Sequence, residues 1–518
     1  MSRVVFDYEG PVVESDPART DIACFVGLVR TSGAAVPSSI QSWLKTRGWL
    51  DGPSARPLAY LADIPIPIDN YATFSLLFDP GGSDAAFGTD YLAAAVRSFF
   101  AQGGRRCYVV RMGDPVTPSD DADAKLAKLA KLLPRTDYAV DDRRSWHGVG
   151  HLGGLPDVSI LALPDLPALS ASGAEGAKGN TPAIPSIPEQ FVECSASSIV
   201  PPRRRLFSQP APRLVPDDYA AWTGSIGAVV AFLFNRGFHE LQFVAAMPLP
   251  WDADVAQAAE MASSRELAQD IQEVVQTHLP RTADGDANPF RLLQLSYPWL
   301  RTTGSQVLLE GLEPPDGALA GMLAYNALTR GAFTDATKVP PAEIFDIWPP
   351  LPAHENTTPL AAPLWDIASD KPLIVRISLF GFTPAGLRLL SDVTAYPGED
   401  YRPARIPRLI AVISRACRRL GEQLVFQNNG PVAWASLQAA LRQLMTRLWR
   451  LNALEGAGLQ DSFSVRCDRS TMTQNDLDNG RLVAQITFTA AATIELIRIT
   501  LAINTSGGAK TVQLAEAS

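Results

Sequence analysis

The chain has 518 residues, 46% of them hydrophobic and 19% charged, and its 45 Lys and Arg against 54 Asp and Glu give a formal net charge of −9. That length exceeds the roughly 250–300 residues at which one hydrophobic core stops growing, so two or more domains are expected. The acidic balance argues against a general nucleic-acid binder, which needs a dense cationic footprint.

The alternating stretch Ser2 to Tyr8 opens the chain as an unpaired strand row, with Val4, Phe6 and Tyr8 on one face. No basic segment followed by a long apolar run precedes it, so no signal peptide is expected. Asp21 to Val29 and Thr73 to Asp79 are rich in β-branched and aromatic residues and are read as strands. A helix follows, capped at Thr89, with Leu92, Ala95, Val96, Phe99 and Phe100 on one face and Gly103-Gly104 as its stop. Cys107 to Met112 returns as a strand, making a strand-helix-strand unit of an α/β layer.

Helix Asp123 to Leu133 and strand Val158 to Leu163 come next. From Pro164 to Asp218 the chain is dominated by Ala, Ser, Gly and Pro without periodicity and is read as an exposed insertion. The triplet Arg203-Arg204-Arg205 within it is a solvated loop. Regular structure resumes from Ala220 to Phe234, then strand Glu240 to Ala246 and a helix at about Val255 to Leu279. The apolar run Ala228 to Phe234 is far below the roughly 20 residues that span a bilayer.

Val339 to Pro372 is a Pro-rich linker or surface-wrapping loop, and it leads into a terminal module. Ile406, Leu409, Ile410, Ile413, Cys417, Leu420 and Leu424 stripe one helix, and Trp434, Leu437, Leu441, Leu444, Leu448 and Leu451 stripe the next. Phe463 to Asp468, Arg481 to Ala491 and Ile494 to Ile503 alternate as strands. The last puts Ile497, Ile499, Leu501 and Ile503 on one face, with nothing obvious for the strand to pair with. Unpaired rows at both ends suggest a subunit that lends strands to its neighbours.

Motifs for chemistry are weak. Gly148-Val-Gly150-His-Leu-Gly153 matches G-x-G-x-x-G, but a strand follows it where a dinucleotide site needs a helix, so a turn-rich loop is expected. His147 and His151 stand four apart, yet the glycines between them oppose the helix on which they would share a metal, and a surface pair is expected. Asp476, Asp478 and Gly480 lack the closing glutamate of a calcium loop and read as a polar turn. Cys24, Cys107, Cys194, Cys417 and Cys467 have no C-x-x-C spacing and fit reduced thiols. No catalytic, metal or cofactor-binding residue is assigned, and the chain is not read as an enzyme. Arg447 and Arg450, with Arg442 on the flank, oppose the leucine stripe of their helix and are candidates for docking an acidic partner.

Several segments, in order, resemble the sheath proteins of contractile phage tails and phage-tail-like injection systems. They are Tyr91 to Arg111 with its helix-Gly-Gly-strand pattern, Pro314-Pro-Asp-Gly-Ala-Leu-Ala-Gly followed by Arg330-Gly-Ala-Phe, and Arg408-Leu-Ile. Phe426-Gln-Asn-Asn, Trp434, Gly456-Ala-Gly, Phe463 to Asp468 and Asp476 to Gly480 complete the set. The chain departs from the family at Phe333, where Trp is usual, and in its two Pro-rich stretches.

The resemblance implies a structural polymer: stacked hexameric rings around an inner tube protein, bounded by baseplate and cap proteins, contracting to drive the tube through a target envelope. It implies no cofactor, no nucleic acid and no direct membrane insertion. Assembly in the bacterial cytoplasm, with release as an extracellular particle, is the matching location. Val4, Phe6, Tyr8, Ile497, Ile499, Leu501 and Ile503 become candidate inter-subunit arm residues, and Arg442, Arg447 and Arg450 candidate contacts to the tube.

The expected fold is α/β to α+β and multidomain, with mixed sheets flanked by helices and extended β arms at both ends. Residues 1–22 form a linking arm, 23–112 the first part of the core, and 113–338 a middle, outer domain carrying the insertion 164–218. A linker at 339–372, a C-terminal core at 373–494 and a second arm at 495–518 follow. Two other readings stay open: a soluble α/β enzyme binding an anion at Gly148 to Gly153, and a baseplate or scaffold component that never contracts.

Overall fold

The computed structural model describes residues 19–50, 58–78, 89–117, 119–172, 210–250, 288–349, 373–424, 430–479 and 481–491, and the backbone of 497–504 and 508–516. The N-terminal candidates Val4, Phe6 and Tyr8, Cys194, the arginine triplet and the helix expected at Val255 to Leu279 lie outside them.

The first half of the larger module comprises β1 (Ala23–Leu28), α1 (Ser38–Thr46), β2 (Pro65–Ile68), α2 (Tyr71–Leu77), α3 (Tyr91–Ala101), β3 (Cys107–Gly113) and α4 (Ala122–Leu132). Next come β4 (Ile160–Ala162), α5 (Leu166–Ser170), β5 (Arg213–Leu214), α6 (Pro216–Asn235), β6 (Gln242–Ala246) and β7 (Leu249–Pro250). It closes with β8 (Leu293–Tyr297), β9 (Trp299–Thr302), α7 (Asp316–Thr329), β10 (Ile344–Trp348), β11 (Ser378–Thr383) and β12 (Gly386–Leu389).

Eight of these strands form one sheet in the order β12-β11-β8-β6-β4-β1-β3-β2. The six inner strands are parallel and the two edge strands antiparallel. Strands covered on both faces read as unbroken apolar runs, and every residue of β1 is buried. The sheet crosses the boundaries expected at 112/113 and 372/373, so the described strands β1 to β4, β6, β8, β11 and β12 share one scaffold. The apolar cores divide later, the first running from Ile22 to Ala395 and the second from Tyr396 to Ala490.

Three local readings are corrected. Thr73 to Asp79 is not a strand: Asn70 accepts the amide of Thr73 and caps α2, which buries Phe74 and Leu77 one turn apart. The insertion is not exposed at its start, because Pro164 to Ala171 are buried and include α5. The Pro-rich stretch after Val339 contains β10, antiparallel to β9.

The helix pair α3 and α7 covers the sheet with the closest backbone approach in the module. A Cβ on Gly317 would lie 2.3 Å from the Cα of Ala95, and one on Gly321 would lie 2.6 Å from the Phe99 carbonyl oxygen. Both glycines belong to the Pro314-Pro-Asp-Gly-Ala-Leu-Ala-Gly segment. Alanine at Gly317 gains helix propensity of about 1 kcal/mol but forces two backbones apart, an overpacking that costs typically 1–3 kcal/mol or more. We expect Gly317→Ala to lower the urea midpoint, with no change of slope; an unchanged or higher midpoint would show that the helices separate freely.

Candidate assembly interface

The C-terminal module is built on α8 (Arg405–Leu424) and α9 (Pro431–Arg450), which pack against an antiparallel sheet. That sheet has the order β13-β14-β15-β16, with β13 at Phe463–Arg466, β14 at Leu482–Phe488, β15 at Ile497–Asn504 and β16 at Gly508–Glu516. Ile406, Leu409, Ile410, Ile413 and Cys417 of α8 and Leu437, Leu441, Met445 and Leu448 of α9 fill the second core. Leu451, expected in the stripe, is 51% exposed, because the helix has ended and the chain turns at Asn452 with φ of 57°.

On β14 the residues alternate strictly, with Leu482, Ala484, Ile486 and Phe488 buried. Antiparallel register sets Ile503, Leu501, Ile499 and Ile497 of β15 directly opposite those four. The C-terminal strand therefore has a mate in its own chain: it lies between β14 and β16, not unpaired as the sequence suggested. The reason is proximity, since the loop between β14 and β15 is short enough for a local hairpin.

The outer face of α9 has Val432, Ala435, Ser436, Ala439, Arg442, Gln443, Arg447 and Arg450 exposed. The three candidate arginines thus share a solvent face on a helix that contains no acidic residue. None of them has an ion-pair partner among the described residues. The strip is apolar and small at its start and cationic toward its end.

A second set of arginines, missed in the sequence, points the other way from α8 into the larger module. Arg408 makes a two-pronged pair with Asp392, one limb at 2.9 Å, and donates to the carbonyls of Ala332 (2.8 Å) and Thr334 (3.2 Å). Asp392 also accepts the amides of Gln294 (2.9 Å) and Ala336 (2.8 Å). The two side chains are 9% and 1% exposed. Burial opposes ionisation of Asp392, but Arg408 more than offsets it and holds the carboxyl below its usual range.

Seven residues along α8, Arg415 lies 3.7 Å from the buried Glu240, and Arg418 reaches the same carboxylate at 2.5 Å. Burial raises the pKa of Glu240 against the pull of these two arginines. Between the modules lies a crevice lined by Thr20, His239, Glu240, Pro407, Arg408 and Ala411, among others. In sequence these arginines carried no assigned role; their spacing of seven and ten residues along α8 was the available signal.

The larger module has the geometry that elsewhere binds ligands. In a doubly wound sheet the crevice lies where strand order reverses, beyond the carboxyl ends of the strands, here between β1 and β4. Three carboxyl groups fill that place: Asp90 at the start of α3, Asp165 at the start of α5 and Asp316 at the start of α7. Asp165 accepts the Leu28 amide at 2.7 Å, and Asp316 accepts that of Gly317 at 2.9 Å. Two of the N–H groups at that place, those of Leu28 and Gly317, are thus already bonded to carboxyls.

The Gly148 to Gly153 segment is a buried 3₁₀ turn at Gly148–Gly154, and its first amide donates to Asp63 at 3.1 Å. His147 and His151 are not a surface pair. Both bind the Asp63 carboxylate, Nδ1 of one and Nε2 of the other at 2.7 Å, and His151 is fully buried. They share a carboxylate across 84 and 88 residues of chain. Among the described residues no group of three or more His, Cys, Asp or Glu side chains is arranged to hold a metal ion. Asp476 belongs to a short helix, Gln474–Asp478, closed by a capping box with Thr473, which is the polar turn expected. Cys24, Cys107, Cys417 and Cys467 are buried thiols, and no described helix is long and apolar enough to cross a membrane.

The chain thus joins a mixed α/β scaffold to a helical pair on an antiparallel sheet. Residues 397–504 match the family described as phage tail sheath C-terminal domain. Over the whole chain the fold is similar to a chain of the anti-feeding prophage (AFP) baseplate in contracted state, with a TM-score of 0.55, 16% identity and coverage of 95% of both chains. It is also similar to a chain of the six-fold symmetrised AFP baseplate (TM-score 0.51, 15% identity, 95% and 96% coverage) and to the AFP helical sheath in contracted state (0.50, 17%, 95% and 98%). No curated protein matches the chain. The C-terminal module is thus the part matched in sequence, and the fold of the whole chain is similar to that of sheath and baseplate chains.

The carboxyls buried between α3 and α7 make stability depend on pH. Burial drives Asp316 up to about 7 and Glu313, beside the Ser98 and Thr302 hydroxyls, up to about 8. In the unfolded chain such groups ionise near 4, so the folded protein holds extra protons between about pH 4 and 8. Their contribution is therefore complete below about pH 4 and is lost as pH rises through 7 and 8, by at most about 1.4 kcal/mol per pH unit for each group. Thermal unfolding between pH 5 and 8.5 should show Tm falling with pH, and Asp316→Asn should flatten the fall; parallel curves for the two proteins would contradict this assignment.

Proposed function

We propose that the protein is the sheath protomer of a contractile injection particle, polymerising as stacked hexameric rings around an inner tube and contracting to drive that tube through a target envelope. The observation that carries this reading is the sheath C-terminal domain at residues 397–504, with a fold similar to sheath and baseplate chains along 95% of its length.

The geometry supplies a mechanism. A strand that pairs in its own chain can pair identically in a neighbour, because domain swapping reuses the same contacts. The seat beside β14 is thus the joint through which Ile497, Ile499, Leu501 and Ile503 are lent. The N-terminal strand of Val4, Phe6 and Tyr8 adds to an outer edge of the same sheet in an adjoining copy, held by main-chain hydrogen bonds. Such joints stay intact while the modules turn as rigid bodies. Firing then needs no nucleotide: an extended lattice relaxes into a better-packed one as each ring biases the next.

Arg442, Arg447 and Arg450 face the tube and dock an acidic surface on it. The partners are further copies of this chain, the tube protein, and the baseplate and cap proteins, assembled in the cytoplasm of the producing bacterium. A non-contracting baseplate component is the second reading, favoured by the likeness to baseplate chains.

Co-expression with the tube protein and negative-stain imaging tests the proposal. The expected result is long cylinders in two diameters; short rings of one diameter would favour the baseplate reading. Deleting Met1 to Glu9 should leave a soluble subunit unable to form long cylinders, and cylinders of normal length from that deletion would refute the arm. Changing Arg442, Arg447 and Arg450 together to Glu should give empty cylinders, and filled ones would remove the tube contact.

A further inference from the structure

The base of the N-terminal arm is not held by the sheet alone. Residues 19–22 are the first described, and Arg19 lies against α8, where Arg415 reaches its carbonyl oxygen. Arg19 closes on Asp21 through its Nε at 2.9 Å. The Ile22 carbonyl accepts the amides of Ser159 and Ile160 at 2.9 and 3.2 Å.

One side chain from the other module joins these two points. Arg415 of α8 donates through Nη1 to the carbonyl oxygens of Arg19 (3.1 Å), Pro156 (3.3 Å) and Asp157 (3.3 Å), and through Nη2 to that of Val158. Its Nε side faces Glu240 at 3.7 Å. A guanidinium offers five donors in a fixed fork, and here that fork spans the arm root and the segment leading into β4. The chain distances bridged are 396 residues to Arg19 and 257 to Val158.

Four backbone carbonyls converging on one buried cation is more than packing requires. A residue whose only duty was to neutralise Glu240 would not need them, since Arg418 already reaches that carboxylate. The cost of burying Arg415 is offset by tying the first described residues of the chain to the helix that, through the second core, carries α9 and its exposed arginines.

We infer that Arg415 is the positioning residue for the N-terminal arm: it fixes where the arm leaves the subunit and ties that exit to the tube-facing module. This rests on the reading of the chain as a sheath protomer whose arm is lent to a neighbour. A movement of α8 and α9 then shifts the arm root directly, so tube contact and ring-to-ring linkage act through one guanidinium. Lysine keeps the charge opposite Glu240 but has a single nitrogen and cannot span the four carbonyls.

Two measurements on the full-length chain test this. Hydrogen exchange is compared for the wild type, Arg415→Lys, Arg415→Gln and Arg418→Gln as isolated subunits. Amides of residues 20–28 and 158–162 should exchange at least about tenfold faster in both Arg415 variants, equivalent to about 1.4 kcal/mol of lost local protection, while β14 and α9 keep wild-type rates. Arg418→Gln, which touches Glu240 but not the carbonyls, should leave the arm root unchanged. Equal exchange in all four proteins, or a uniform rise across the chain, overturns the clamp.

Cylinder length with the tube protein is then measured. Arg415→Lys should give cylinders several-fold shorter than wild type and Arg418→Gln normal ones. Local loosening with normal cylinders would leave a clamp that does not position the arm and would overturn the inference. Should the wild type itself make no cylinders, the protomer reading fails, whereas the exchange result still reports on the clamp. If Arg415→Gln does not fold, Arg415→Lys, which keeps the buried charge, decides the outcome.

Discussion

The structure depends on how two apolar cores that never merge are kept in one orientation. Cores joined by hydrophobic contact slide and repack; cores joined by buried ions have one arrangement in which every charge is satisfied. Here the second arrangement is used. Arg408 is held by Asp392 and two backbone carbonyls, and Asp392 is completed by Gln294 and Ala336. Removing either partner strands a buried charge, and that asymmetry makes the joint specific rather than merely stable. With it, α8 belongs to both modules: one face to the second core, the other to the first.

In the larger module buried carboxyl groups occupy the place where a doubly wound sheet usually holds its ligand. Doubly wound sheets owe their usual chemistry to free N–H groups at helix starts and strand ends. In this chain Asp165 and Asp316 each accept one such group, and Gly148 donates to Asp63.

Much of this was legible in the chain. Period-two alternation located β14, and apolar spacings of three and four located α8 and α9, because those patterns are local and each residue's fate is set by its own neighbours. The Gly317 and Gly321 contacts were visible as a motif, though not their partner α3. What could not be read were pairings across distance. Thr73 to Asp79 has strand composition, yet one asparagine at its start decided for a helix. Pro164 to Ala171 looks like a solvated insertion until Asp165 meets the Leu28 amide, 137 residues away. His147 and His151 looked exposed because Asp63 lies far up the chain. Arg408 and Arg415 share their residue type with the exposed Arg442, Arg447 and Arg450, and only the location of the acids and carbonyls distinguishes a buried bolt from a solvent-facing one.

The place of β15 has a consequence for how such particles begin. It is hydrogen-bonded on both sides within its own chain, so this strand is not free in an isolated copy. For a subunit that lends this strand, the first exchange must break a row of bonds before any is regained, whereas every later copy meets an opened site. Growth by such an exchange would show a lag and respond to seeding with preformed polymer.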